Sequence, residues 1–204
     1  MFQTAVMKII IIGATGTIGK VVTEELSKRH EVIKASRTKG EVQVDIQSPK
    51  SIEAMYKRIG KFDALVSATG EGHFGPLNKA TDKDFRKGID SKLMGQINLV
   101  LIGQRYINAK GSFTLTSGIL GEDPVLRGSN LSMVNGGINS FVIAAAIELQ
   151  NDVRINAVSP GVVEDSPENF PLFPGHVPVP MDNVVAAYVR SVEGALTGKI
   201  IKVN

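Results

Sequence analysis

The sequence predicts an α/β protein: a doubly wound, mostly parallel sheet of seven strands with helices on both faces. Three observations carry this. Strand-like and helix-like segments alternate from end to end, the first strand is a continuous apolar run, and a glycine-rich turn joins that strand to the first helix. Such alternation places a crossover helix between parallel neighbours, and right-handed crossovers then cover both faces.

The elements follow in order. MKIIII (7–12) is a β-branched run with the composition of a strand buried on both faces. Residues 17–29 put Ile18, Val21, Val22 and Leu26 on one helical face. EVIKAS (31–36) and EVQVDI (41–46) read as the second and third strands. Ser48 caps a helix running to about Arg58, with Pro49 at its first position. FDALVSA (62–68) is a fourth strand. Thr81 opens a short helix with Asp84 three residues on, an acidic form of the capping box. A longer helix is predicted over 91–108, then a strand at GSFTLTS (111–117). A long apolar helix follows Gly128, and VRINAVS (153–159) is the sixth strand. A last helix over 182–193 precedes KIIKV (199–203). Six of the nine prolines lie in 160–180, which reads as a surface loop or lid near the strand ends.

Composition narrows the classes. The 204 residues, 43% of them hydrophobic, suit a single domain over 1–204 with a substantial core. No window approaches the ~20 apolar residues of a membrane span. The run Ile9–Ile12 stops at Gly13 with no cleavage-like site, so no signal peptide is expected either. The absence of Cys excludes disulfides and thiolate metal sites, no metal is expected, and a cytoplasmic address fits. Net charge is +3 with scattered basic residues, no Trp and three Tyr, unlike the basic, aromatic-interleaved patch of a nucleic-acid binder.

GATGTIG (13–19) places glycines at 13, 16 and 19 between a strand and a helix. Gly13 suits a tight turn, Gly16 would let a pyrophosphate approach the backbone, and Gly19 would let helix and strand pack closely. Free N–H groups at Thr15, Thr17 and Ile18, with the helix N-terminus, favour an anion. This is the context a dinucleotide-binding, Rossmann-type turn demands, against the alternative of a tight turn that binds nothing. The second strand ends Ser36-Arg37 rather than in the acidic residue that holds a ribose 2′-hydroxyl. Arg37 can instead grip a 2′-phosphate, which predicts NADP(H) over NAD(H), unless it is a solvated loop residue.

These motifs resemble the short-chain dehydrogenase/reductase family over almost the whole chain. GATGTIG resembles the nucleotide turn of its extended or atypical branches. By the same resemblance, VDI (44–46) gives Asp45 an adenine contact beside Ile46, and SATG (67–70) puts Ala68, Thr69 and Gly70 where the family has Asn-Asn-Ala-Gly. LTSGI (115–119) matches the strand that ends in the catalytic Ser, here Ser117. VRINAVSPG (153–161) is the most specific match, implying that Pro160, Gly161 and Val163 lie beside the nicotinamide.

The family's chemistry uses Asn, Ser, Tyr and Lys. Registered on AAAIELQNDVRINAVSPG, the Tyr position holds Leu131 and the Lys position Asn135, while Lys92 stands where the Asn would be. Only Ser117 survives. Tyr56, Tyr106 and Tyr188 are expected on other helices, as packing residues. Substitute proton carriers are Lys92, His73 and His176, each weighed against the blander reading of a solvated residue. Two functions stay open: an oxidoreductase moving hydride between NADP(H) and a small carbonyl or alcohol, and a non-catalytic NADP(H)-binding module read by a partner. The long helix has apolar residues on more than one face, and in the family this helix pair makes a dimer, so a homodimer or homotetramer is expected.

Overall fold

The structure is a computed structural model that describes residues 5–204; residues 1–4 of the expected domain lie outside the described residues. Seven strands form one sheet in the order β3-β2-β1-β4-β5-β6-β7. They are β1 (Lys8–Ile12), β2 (Glu31–Ser36), β3 (Val42–Gln43), β4 (Phe62–Ser67), β5 (Ile107–Thr116), β6 (Arg154–Pro160) and β7 (Lys199–Val203). All six pairings are parallel. The helices are α1 (Thr17–Leu26), α2 (Pro49–Ile59), α3 (Asp82–Gly88), α4 (Met94–Gly103), α5 (Ser129–Glu148) and α6 (Met181–Glu193).

The isoleucine run shows why this chain winds both ways. Ile10 and Ile12 pack on one face, against Ile52, Tyr56, Leu99, Ile138 and Val142 of α2, α4 and α5. Ile9 and Ile11 pack on the other, against Val22, Leu26, Val184 and Tyr188 of α1 and α6. Burying each such side chain stabilises the fold by about 1.5–3 kcal/mol. Winding reverses between β1 and β4, and a crevice opens there beyond the strand ends.

Several elements depart from expectation. The third strand covers only Val42–Gln43, because the chain turns at Asp45, whose N–H donates to Ser51 Oγ and whose carboxylate accepts from Gln47 N–H. The first helix ends at Leu26, and a turn carries the chain through 27–30. The helices predicted separately at 81 and 91–108 are continuous, joined by a π-helical turn at Ile89–Leu93. That helix stops at Gly103, and Tyr106 lies outside it, donating from its hydroxyl to Glu53. The caps predicted at Ser48 and Thr81 are both formed.

One helix is longer and more apolar than the window reading allowed. α5 has a mean hydropathy of 1.3 over 18 residues, enough by length and composition to cross a membrane. Here it packs on the sheet instead, with Val134, Ile138 and Val142 fully buried. Met133, Ile143 and Ile147 stay exposed on its outer side.

Candidate functional site

The glycine turn is built by interlocking backbone. Gly13 adopts φ +81°, and a Cβ there would stand 2.5 Å from the Ala68 carbonyl oxygen. A Cβ on Gly19 would fall 2.0 Å from the Gly13 carbonyl oxygen, so α1 can begin this close to β1 only without one. Gly16 differs: a Cβ there would meet one atom, the Gly13 carbonyl oxygen, at an ordinary contact distance of 3.4 Å, so that side of it is largely open. Gly16 is also the N-cap residue of α1 and no side chain caps the helix, so Thr17, Ile18 and Gly19 open it with unsatisfied N–H groups.

Above this turn lies a cavity lined by Gly13, Thr15, Gly16, Ser36, Arg37, Asp45, Ile46, Ala68 and Thr69. Thr38, Val44, Gln47, Glu71 and Ser91 join them, five residues that the sequence does not mark as cofactor contacts. Ser36 Oγ accepts from Lys39 N–H, which shapes the loop that carries Arg37. The Arg37 side chain is 66% exposed and meets Glu71 at 3.5 Å. Gly70 borders the next part of the crevice, where a Cβ would meet Lys92 Cα at 2.8 Å. Pro160 ends β6, Gly161 N–H donates to the Val203 carbonyl at 2.7 Å, and Val163 bridges Val179.

Lys92 sits in the π-helical turn, one residue after the cavity-lining Ser91. The expectation of a solvated helix residue fails for it. The residue is only partly covered by area, but its ammonium end lies inside the protein and donates to the Ser117 carbonyl at 2.9 Å. Burial lowers its pKa from the ordinary 10.5 to about 8. Gln96, fully buried, organises the same corner. Its side chain accepts from Thr116 N–H and donates to the Thr116 and Lys92 carbonyls. Gln96 gave no signal in the sequence, since only the fold shows that it faces the end of β5.

Beside them, Ser117 Oγ and Asn135 Oδ1 are buried without a hydrogen-bond partner. Buried polar atoms are rarely left so unless a ligand or water completes them. Leu131 is covered differently. A Cβ on Gly72 would come within 2.2 Å of Leu131 Cδ2, so the loop after Gly70 packs directly on that side chain. Asn130, 1% exposed, fastens the loop: its Oδ1 accepts from His73 N–H and its Nδ2 donates to the Phe85 carbonyl. His73 lies 3.8 Å from Asp84, and His176 lies 3.8 Å from Asp123. Phe74 meets Phe173 edge-on at 6.3 Å, joining this loop to the proline-rich segment. Tyr56 and Tyr188 are buried in the helical layers; the Tyr56 hydroxyl donates to the Leu99 carbonyl, and the Tyr188 hydroxyl is hydrogen-bonded to Thr116 Oγ1. Among the described residues, no cluster of His, Asp or Glu could hold a metal ion.

Comparison with known proteins agrees with this geometry. Residues 12–172 match the family model described as enoyl-(acyl carrier protein) reductase. The chain therefore belongs to the short-chain dehydrogenase/reductase family. The protein lin1944 of Listeria innocua is 49% identical, with a TM-score of 0.95 over 97% of this chain and 100% of that one. A small-chain dehydrogenase solved in complex with NADPH is 27% identical, with a TM-score of 0.87 over 98% and 97% of the two chains. Among curated proteins, an uncharacterized oxidoreductase of Methylorubrum extorquens is 24% identical over 64% of this chain and 53% of its own length. The NADPH-dependent 1-acyldihydroxyacetone phosphate reductase of Saccharomyces cerevisiae is 26% identical over 80% of this chain and 63% of its own. The chain thus spans little more than half to under two thirds of these two relatives.

The residues present fit a nicotinamide dinucleotide. The largely open Gly16 side and the uncapped N-terminus of α1 suit a pyrophosphate, and the unpartnered Ser117 and Asn135 oxygens mark polar demand at the far end.

Proposed function

We propose that this protein is an NADP(H)-dependent oxidoreductase that interconverts a small carbonyl compound and its alcohol, with Lys92 as the proton donor and acceptor. The observation that carries the reading is the Lys92 ammonium held 2.9 Å from the Ser117 carbonyl, in the corner where Ser117 Oγ and Asn135 Oδ1 lack partners.

In this reading Ser117 Oγ holds the substrate oxygen, and Lys92 delivers a proton to that oxygen during reduction. The ammonium has N–H bonds left after the one it gives to the Ser117 carbonyl. Its lowered pKa, about 8, brings proton exchange within reach of physiological pH. Asn135 stands where the family's Lys would be, and its buried Oδ1 can accept from a ribose hydroxyl. The bound cofactor supplies the hydride. Arg37 at the cavity rim supports NADP(H) over NAD(H), because a forked guanidinium suits a 2′-phosphate. The exposed apolar residues of α5 support a homodimer or homotetramer, and the absence of Cys supports a cytoplasmic setting.

A second reading, a cofactor-binding module without turnover, rests on Leu131, which offers no proton where the family has Tyr and lies under the Gly72 loop. Calorimetric titration with NADPH, followed by NADPH oxidation over a panel of small carbonyls, separates the two. Tight NADPH binding with turnover that Lys92→Met abolishes supports the first. Binding with no turnover on any carbonyl supports the second.

A further inference from the structure

We propose that Glu71 is a placeholder for the 2′-phosphate: in the free protein its carboxylate holds Arg37 in an ion pair strapped across the mouth of the nucleotide crevice. The inference rests on the NADP(H) reading above.

The topology makes the pair a strap. Arg37 follows β2, Glu71 lies just beyond β4, and β1 runs between those two strands. Side chains that meet at 3.5 Å therefore reach over the end of β1, where the glycine turn begins, and both line the cavity. Two interstrand spacings amount to about 9–10 Å, so this contact is not a neighbourly accident of one loop.

Glu71 is placed to stay. Its N–H donates to Ser91 Oγ at 3.0 Å, and Ser91 is buried. The preceding Gly70 is wedged against Lys92 with φ +129°. The backbone is held at the Glu71 N–H and again two residues on, where the His73 N–H donates to Asn130 Oδ1, so the side chain is the part left to swing. It has somewhere to go: Lys87 Nζ already lies 3.7 Å from its other carboxylate oxygen. A dinucleotide settling over the glycine turn must part Arg37 from Glu71. A 2′-phosphate gives Arg37 a new anion in exchange, while Glu71 keeps Lys87. A 2′-hydroxyl gives no such replacement.

The test is a double-mutant cycle on binding, read by calorimetry with NADPH and NADH. Glu71→Gln keeps the size and the backbone bond and removes the charge. It should tighten NADH by about 1.4- to five-fold, the range of an exposed ion pair, and NADPH by at least as much. In an Arg37→Ala background the same change should leave NADH binding where it was. Unchanged NADH affinity in Glu71→Gln, or a gain that persists without Arg37, overturns the strap. If the unaltered protein binds NADPH and NADH equally while the cycle behaves as stated, the NADP(H) preference fails and takes the placeholder role with it, while the ion pair across the crevice stands. If neither nucleotide binds the unaltered protein or the variants, both fall.

Discussion

The Lys92 ammonium donates to the main-chain carbonyl of Ser117 at 2.9 Å, tying the irregular turn between α3 and α4 to the residue that follows β5. Burying an ammonium without an opposite charge beside it is costly, and the bond to the carbonyl offsets only part of that cost. Gln96 fixes both ends of the link, bonding the Lys92 carbonyl on one side and the Thr116 backbone on the other.

That link sets a pH dependence. With Lys92 as the proposed donor, reduction needs it protonated, so kcat for reduction should fall as pH rises through about 8, and alcohol oxidation should rise over the same interval. Lys92→Met should cut either rate by about 10²–10⁴-fold. Stability has its own sign. The folded pKa lies below the unfolded one, so the folded chain releases this proton first. Stability from this group therefore rises from about 8 to 10.5 and is lower below that window. Lys92→Met should raise Tm at pH 7, by about 2–4 °C for each kcal/mol relieved, and flatten the alkaline limb. A pH–rate profile with no break near 8 in the unaltered protein would remove Lys92 from the proton step.

Restoring the family's tyrosine should not restore chemistry by itself. Leu131 lies under Gly72, at 2.2 Å from where a Cβ would be, so a larger ring at 131 meets the 70–75 loop. Leu131→Tyr should lose about 1–3 kcal/mol from overpacking and gain no turnover. Gly72→Ala should lose less, because the end of the Leu131 side chain it meets can turn aside, and Leu131→Ala should recover that loss in the double variant, because the two changes compete for one space. Denaturant unfolding of the four proteins reads this coupling; strictly additive losses would show that the loop does not rest on Leu131.

The large-scale pattern was legible because it is carried by short-range signals. The β-branched run of β1, the Ser48-Pro49 cap and the Thr81–Asp84 box each specify local structure, and all three formed as expected. Two of the misplaced boundaries have contacts behind them that side-chain pattern does not show. Val44 and Ile46 carry strand-like alternation, but Asp45 bonds to the start of α2 and ends β3 early. Residues 104–108 continue a helical pattern, but Tyr106 is drawn to Glu53 and β5 begins at Ile107. In the first case a side-chain turn within six residues overrode the alternation, and in the second a contact 53 residues away did. The site divides the same way. The glycine turn announces itself, whereas Glu71, Ser91 and Gln96 matter only because the topology brings β2, β4 and the π-helical turn together.

The three glycines of the turn should separate by experiment into two roles. Gly19→Ala would drive a Cβ to 2.0 Å from the Gly13 carbonyl oxygen, backbone against backbone with no flexible end to yield. It should lower Tm markedly and abolish nucleotide binding as a consequence. Gly16→Ala meets nothing closer than 3.4 Å, so the fold should tolerate it. Its new methyl would stand where a pyrophosphate must approach the backbone, and NADPH binding should weaken by at least ten-fold at nearly unchanged Tm. Equal affinities in the unaltered protein and Gly16→Ala would show that the turn holds no pyrophosphate.

The exposed apolar side of α5 makes a prediction about assembly. Ile143 is 56% and Ile147 87% exposed, one turn apart, with Met133 at 40% further up the helix. Leu101 of the neighbouring α4 is 48% exposed. Large apolar side chains left exposed along a helix are costly in water, and a patch of them is commonly covered by another subunit. Light scattering at micromolar concentration should therefore give the mass of a dimer or tetramer. The double change Ile143→Glu and Ile147→Glu places two desolvated carboxylates in such an interface, and it should shift the mass to the monomer. Neither residue touches the nucleotide cavity, so NADPH affinity should change little if each subunit holds a complete site. A clean monomer in the unaltered protein removes the assembly. A dimer that survives both glutamates places the interface on another face.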